Sequence, residues 1–374
     1  MKRVYIWIDK FDVGGVQTSL FNILSRMHAD NLSFHIVMVN KLTDFFDNEL
    51  AQIEYTVLID ERIDNPIIRF KLGISRFKQF IKQNDVETVY FAINHAVDFL
   101  YVLAAENSGV RTRITRCECA GLSNKWKVLA NNVFKLFFQK TATKRLAVSK
   151  RAAQWVYGKK YLNQVTILPN GIDFSQFLYD KREREEMRKQ MGVDDLFVVL
   201  HIGKFEKVKN HEKLLDIFYE IKKLEQKSVL LLVGDGSSKR REAIQNKIRR
   251  LHLETSVIAC GNTKDIRKMM MVSDCMVLPS LYEGFGMTLI EAQAMHLKAY
   301  ASDAVPCEVK FSDYLHFLPL QLKSGKWAQE ILSNMDTDVD VDAEKAAFFD
   351  IGNVAEMFGN ILRNEINNSE SISR

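Results

Sequence analysis

Residues 3–24 read RVYIWIDKFDVGGVQTSLFNIL, and this stretch decides the fold class. Its first six residues form an apolar run that ends in Asp9. The turn Asp12-Val13-Gly14-Gly15 follows. Apolar residues then recur at helical spacing: Val16, Leu20, Phe21, Ile23, Leu24 and Met27. A buried strand, a glycine turn and an amphipathic helix, in that order, open an α/β domain.

Working outward, short buried-strand candidates follow at 34–40 (FHIVMVN), 55–59, 88–93 (TVYFAI), 112–116, 145–149 and 165–170. Helix-length segments such as Ile67–Gln83 and Asp98–Ser108 lie between them. Strands alternating with helices predict a parallel, doubly wound sheet. From Asp173 to Met191 the sequence becomes strongly charged, and then the same grammar restarts. LFVVLHIG (196–203), SVLLLVGDG (228–236), SVIACG (256–261), CMVLPS (275–280) and KAYAS (298–302) are the strands of a second α/β domain. A linker is expected near 172–182, a last helix over Gly352–Asn364, and a frayed polar tail, NNSESISR.

Length and composition agree. At 374 residues, two domains are expected, and 47% apolar with 26% charged residues is the balance of a globular protein. No apolar run approaches a membrane span, and the first residues read directly as a strand, so no signal peptide is expected. Five cysteines (Cys117, Cys119, Cys260, Cys275, Cys307) with no C-x-x-C argue against a disulfide framework and a zinc ribbon, and point to reduced thiols in a cytoplasm. The net charge of +5 is uneven: no Asp or Glu occurs from Cys119 to Ile172, while ten Lys and Arg residues do.

Open α/β sheets bind ligands in loops at the carboxyl ends of their strands, and two in tandem place a cleft between them. Gly14 and Gly15 precede a helix, where amides can hold an anion, although an ordinary strand-to-helix turn needs the same glycines. G-x-G-x-x-G is absent there and is not completed by Gly234-Asp235-Gly236, so a nicotinamide or flavin site is weakly supported. Lys204 and Lys209 fall between a strand end and a helix start. Cations there oppose the helix dipole unless an anionic ligand offsets them, or they are solvated surface lysines. The most informative stretch is LYEGFGMTLIEA (281–292), with Glu283 and Glu291 either side of a glycine turn. An acid–base pair, a metal site and two anchors for one hydroxylated ligand all fit that spacing. So does a bland arrangement in which Glu283 caps the helix and Glu291 faces solvent.

Together, E-x7-E, the K-F-x3-K-N-H segment at 204–211, VGDG, LPNGID (168–173) and GGVQTSLFNI resemble retaining GT-B glycosyltransferases of family four, of the bacterial exopolysaccharide, capsule and lipopolysaccharide type. The resemblance runs nearly end to end. It implies two Rossmann-like doubly wound domains facing each other across a cleft: an acceptor-side domain over 1–175, a nucleotide-sugar domain over 176–345, and a segment over 346–374 whose helix crosses back to the first domain. It also implies roles by position. Glu283 and the amides of Gly284, Phe285, Gly286, Met287 and Thr288 would hold the donor sugar and phosphate, and Glu291 the ribose hydroxyls. Lys204 and Lys209 would neutralise the departing diphosphate. Gly14 and Gly15 would let the first loop approach the donor, and His95 would lie near the transferred sugar. No metal or other cofactor is expected. Where relatives often carry histidines, this chain has Arg116-Cys117-Glu118-Cys119, a departure at the acceptor side.

The expected activity is retaining transfer of a hexosyl or N-acetylhexosaminyl group. The donor would be a nucleotide sugar, UDP-linked by expectation, and the acceptor a saccharide or lipid-linked saccharide in surface polysaccharide synthesis. A nucleotide-sugar epimerase or hydrolase, and a non-catalytic sugar-nucleotide-binding protein, are the alternatives. Within the basic 119–172 segment, Lys125, Trp126, Lys127, Val128, Leu129, Val133, Phe134, Leu136, Phe137 and Phe138 mix basic and bulky apolar residues, the pattern of a segment on an anionic membrane or of a core helix with a basic outer side. A cytoplasmic protein, peripheral on the inner membrane face and without a nucleic-acid partner, is expected.

Overall fold

The computed structural model describes residues 2–372 except 13, 28–30, 62, 95, 122–124, 138–139 and 335–338. The chain divides into two compact units, residues 1–171 with 348–374, and residues 172–347.

In the first unit the elements run β1 (Lys2–Phe11), α1 (Gly15–Arg26), β2 (Leu32–Lys41), α2 (Asp47–Leu50), β3 (Glu54–Val57), α3 (Pro66–Gln83), β4 (Thr88–Ile93), α4 (Phe99–Asn107), β5 (Thr112–Cys117), α5 (Lys125–Phe137), β6 (Lys144–Ala147), α6 (Lys150–Tyr157) and β7 (Val165–Ile167). The second holds α7 (Lys181–Met191), β8 (Phe197–Ile202), α8 (His211–Leu224), β9 (Ser228–Val233), α9 (Ser238–Arg250), β10 (Val257–Gly261), α10 (Ile266–Val272), β11 (Cys275–Leu278), α11 (Met287–Ala294), β12 (Lys298–Ser302), β13 (Leu315–Leu318), α12 (Ser324–Ser333) and α13 (Ala343–Phe348). Last comes α14 (Ile351–Ile372).

The seven strands of the first sheet are ordered β3-β2-β1-β4-β5-β6-β7, and the six of the second β10-β9-β8-β11-β12-β13. Every pairing in both is parallel. Parallel strands covered on both faces must be apolar throughout, which is why β4 (TVYFAI) and β9 (SVLLLV) are buried at every position. In each sheet the strand order reverses once, at β1/β4 and at β8/β11. Those are the points where doubly wound sheets take ligands.

Local signals set the helix starts. Asn65 caps α3 through Ile67 and Ile68 N–H, with Pro66 as the first helical residue. Ser149 caps α6 through Ala152 N–H, so the 145–149 stretch ends in a cap rather than in strand.

The charged run after Asp180 forms helix α7 within the second unit, and the linker expected near 172–182 overlaps it only at Lys181 and Arg182. Arg184 donates to Met271 O and Ser273 O at 2.6 Å, and Arg188 to Val272 O at 2.7 Å and Leu196 O at 2.6 Å. Both also pair with Asp274. The last helix begins at Ile351 and continues to Ile372, through most of the tail expected to fray. Its residues Ile351, Val354, Ala355, Phe358, Leu362 and Ile366 are buried in the first unit's core with Ile6, Leu20, Tyr90 and Ile114. The edge strand β13 has no counterpart among the strands expected from the sequence.

Candidate active site

The second unit's site is built on two loops, one after β8 and one after β11, on either side of the strand-order reversal. The first is held against the loop after β9. Gly203 N–H donates to Val233 O at 2.9 Å and Phe205 N–H to Asp235 O at 2.7 Å. Gly234 has φ +128°, and a Cβ there would lie 2.1 Å from Gly203 O; one on Gly236 would lie 2.7 Å from Phe205 Cβ. The glycines of the GDG sequence thus serve backbone-to-backbone approach.

Asn210 closes this loop in the left-handed region, with φ +55°. Its side chain donates to Pro279 O at 3.0 Å, and Leu281 N–H donates to Val208 O at 2.8 Å. These two bonds stitch the loops together and bring the predicted residues Lys209 and Glu283 face to face. Lys209 Nζ donates to Glu283 Oε1 at 2.7 Å, and Ser280 Oγ donates to the same oxygen at 2.6 Å. Ser280 is itself fixed through its carbonyl, which accepts from Ser302 Oγ at 2.6 Å. The stem of Lys209 lies against Gly203, where an added Cβ would be 3.1 Å from its Cγ, Cδ and Cε.

Beneath this pair lie His201 and His211, both fully buried, with ring centroids 4.8 Å apart. Burial pushes their pKa values down to about 4 and about 2. Both are neutral at pH 7, so neither supplies positive charge to the site. His201 Nδ1 lies 2.8 Å from Val277 O, the geometry of an N–H donor bond.

The glycine turn ends at Gly286, φ +101°, which begins α11 without a side-chain cap. Glu283 is therefore not the cap of this helix. Glu291 does not face solvent either: it is 9% exposed, and burial raises its carboxyl pKa to about 7. Among the described residues no side chain pairs with it. A buried carboxyl with no side-chain partner among the described residues suits a ligand hydroxyl pair. Met287 and Thr288 form the first turn of α11, and Gly284 and Phe285 the turn before it. Lys204 stands between the anchored Gly203 and Phe205.

Residues the sequence reading passed over complete the frame. Ser280 ends the CMVLPS stretch and signals nothing by its type. Gln293 Nε2 donates to Leu289 O and Val309 O, each at 2.9 Å, while its Oε1 accepts from Phe311 and Ser312 N–H at 2.9 and 3.0 Å. It ties α11 to the loop after β12.

In the first unit, Gly14 precedes α1 with extended backbone, φ 173°, and Gly15 is its first residue. They follow β1 at the reversal of strand order. The loop after β4 lies beside them in the sheet: Asn94 N–H donates to Asp98 Oδ2 at 2.8 Å and Ala96 N–H to Asn131 Oδ1 at 2.6 Å. His95, in this same loop, lies outside the described residues. The departing sequence Arg116-Cys117-Glu118-Cys119 contains a buried ion pair, with Arg116 Nη1 3.0 Å from Glu118 Oε1. Arg116 also donates to Leu168 O at 3.0 Å and Pro169 O at 2.9 Å, and bonds the Asn170 side chain. Asn170 Oδ1 in turn accepts from Ser19 of α1 at 2.8 Å. Arg116 thus clamps the LPN segment after β7 to the helix that begins at Gly15.

Comparison with known proteins gives these sites a class. Residues 183–313 match the family model described as Glycosyl transferases group 1, and this span contains Lys204, Lys209, Glu283 and Glu291. The chain carries a glycosyl transferases group 1 domain on a GT-B fold, and it is a glycosyltransferase. Among individual relatives, it is 27% identical over 319 residues to a protein named as a glycosyltransferase, EpsF, of Bacillus subtilis (strain 168), covering 81% of this chain and 80% of that one. It is 22% identical, over 81% of each chain, to the N-acetylgalactosamine-N,N'-diacetylbacillosaminyl-diphospho-undecaprenol 4-alpha-N-acetylgalactosaminyltransferase of Campylobacter jejuni. In fold it is similar to HepE of Anabaena, solved with UDP and glucose, at a TM-score of 0.73 and 18% identity over 100% of both chains.

Proposed function

We propose that this chain transfers a hexosyl or N-acetylhexosaminyl group, with retention, from a UDP-sugar to a saccharide or lipid-linked saccharide in bacterial surface polysaccharide synthesis. The observation that carries this is the pairing of Lys209 with Glu283 at the second sheet's reversal point, with the unpaired carboxyl of Glu291 in the helix that follows. A cation for a diphosphate, a carboxylate for sugar hydroxyls and a second carboxylate for a ribose are the three contacts a nucleotide sugar needs. Lys204, the amides of Gly284 to Thr288, Gly14, Gly15 and His95 keep the roles that the resemblance implies.

The chemistry follows from the leaving group. The bond from the anomeric carbon to the diphosphate breaks, and negative charge develops on the phosphate oxygen. Lys204, Lys209 and the turn amides stabilise that charge most at the transition state. The acceptor hydroxyl attacks from the same face, and its proton passes to the departing phosphate. No protein nucleophile and no metal ion enters this scheme.

The HepE structure contains UDP, and the Campylobacter relative is named for a diphospho-undecaprenol acceptor. Both support the UDP and lipid-linked parts of the proposal. Docking to an anionic membrane on the cytoplasmic side is supported by α5. Asn131 of this helix is buried, while Leu129 and Val133 are exposed in a segment rich in lysine. Among the described residues no helix is long and apolar enough to cross a membrane.

The test is incubation with a panel of nucleotide sugars, with and without lipid-linked glycans. Glycan mass gain matched by nucleoside diphosphate release, with the anomeric configuration kept, is the expected result. Free monosaccharide or an epimerised donor with no glycan product would assign the chain to hydrolysis or epimerisation instead. Lys209→Ala and Glu291→Ala are each expected to weaken donor binding at least tenfold, about 1.4 kcal/mol, without unfolding the protein.

A further inference from the structure

We propose that Glu283 and the donor's diphosphate compete for the ammonium of Lys209, and that Ser280 is the positioning residue that keeps Glu283 oriented during that competition. The inference rests on the donor-site reading above and adds a coupling to it.

The geometry leaves Lys209 little choice of partner. Its stem is confined over Gly203, and the loops that carry Lys209 and Glu283 are joined by the Asn210–Pro279 and Leu281–Val208 bonds. The ammonium is thus presented to one carboxylate oxygen, at 2.7 Å, in a site where the two side chains are 21% and 11% exposed. The histidines beneath are neutral, so they add no positive charge to share. A diphosphate that approaches Lys209 meets an ammonium already engaged by an anion, and it also meets the charge of that anion. Whether Lys209 turns away from Glu283 or bridges both, the carboxylate charge opposes binding of the bare nucleotide.

A donor sugar reverses this penalty. Its hydroxyls give Glu283 new hydrogen bonds in place of those from Lys209. Recognition of phosphate and of sugar are then two sides of one exchange, and the nucleotide product left after transfer binds less well than the intact donor. Ser280 gives the exchange its fixed point. It is buried, its hydroxyl donates to Oε1, and its carbonyl is held by Ser302. When Lys209 leaves Oε1, this bond still orients the carboxylate.

Calorimetric titration with UDP, then GDP, ADP and the matching sugar nucleotides, separates the two levels of inference. If the wild type binds no nucleoside diphosphate, the donor-site reading falls, and the competition with it. If it binds one, Glu283→Gln, isosteric but uncharged, is expected to bind that nucleoside diphosphate about tenfold more tightly while losing the advantage of the sugar nucleotide. Equal or weaker binding by Glu283→Gln would overturn the competition and leave the donor site standing. The double variant Lys209→Met/Glu283→Gln should lose the gain, and its retention would also count against the proposal. For Ser280→Ala, nucleoside diphosphate affinity is expected to stay within about twofold of wild type while kcat falls about tenfold, the loss of one hydrogen bond to a charged group. Parallel losses in both would show a merely structural serine.

Discussion

Glu291 is the residue whose environment says most about how this site is maintained. Its carboxyl titrates at about 7 in the folded chain, against an ordinary value of 4.5. Folding therefore takes up a proton between those two pH values. The contribution of this group to stability is full below pH 4.5 and falls as the pH rises to about 7. Glu291→Gln removes that slope. Urea unfolding is expected to show the variant about 3 kcal/mol more stable than wild type at pH 8 and nearly equal to it at pH 4. Profiles that run parallel across that range would show that the carboxyl is not shifted. A second residue, Arg116, works in the opposite sense, because its charge is needed by its neighbours. Arg116→Ala strands the buried Glu118 and frees the carbonyls of Leu168 and Pro169, a loss of about 3–5 kcal/mol. The paired change Arg116→Met with Glu118→Gln is expected to cost less than Arg116→Ala alone in the same unfolding measurement.

At the scale of elements, what the sequence could announce followed from whether a side chain's partner was local. β4 and β9 are continuous apolar runs because both their faces are covered, and such runs are visible in one dimension. The glycine turn before α11 and the E-x7-E spacing were visible for the same reason. α7 was not. Its residues KREREEMRKQM carry no apolar stripe that decides a face, and its attachment is made by arginines to carbonyls more than eighty residues away. β13 (LHFL) is an edge strand, only Leu315 of it is buried, and a histidine interrupts its apolar run. Lys209 and Glu283 could each be picked from sequence. That they are partners, held by Ser280 and by a left-handed Asn210, depends on two loops meeting across 74 residues. The α7 attachment makes its own prediction. Asp274→Ala removes the acceptor of two arginines and of Val198 N–H, which donates to it at 2.7 Å. A loss of about 2–4 kcal/mol is expected in urea unfolding, with the arginines left beside an apolar methyl.

Taken whole, the molecule is two doubly wound units, each with a reversal of strand order, and α14 belongs in substance to the first. Six of its residues complete that unit's core, and the five larger than alanine contribute about 1.5–3 kcal/mol each. Their sum is comparable with the 5–15 kcal/mol by which a whole domain is stable. Removal of residues 351–374 is therefore expected to abolish hydrogen-exchange protection in β4 while β9 keeps its own. Equal protection in both would mean that the first unit's core closes without the helix. The chain passes from the first unit to the second after Gly171 and returns at Phe348. A nascent chain emerging at about 5–20 residues per second thus holds its first sheet without a lid for tens of seconds. The second unit, unbroken in sequence, can close in that interval. The half of the molecule synthesised first is then the half that finishes folding last.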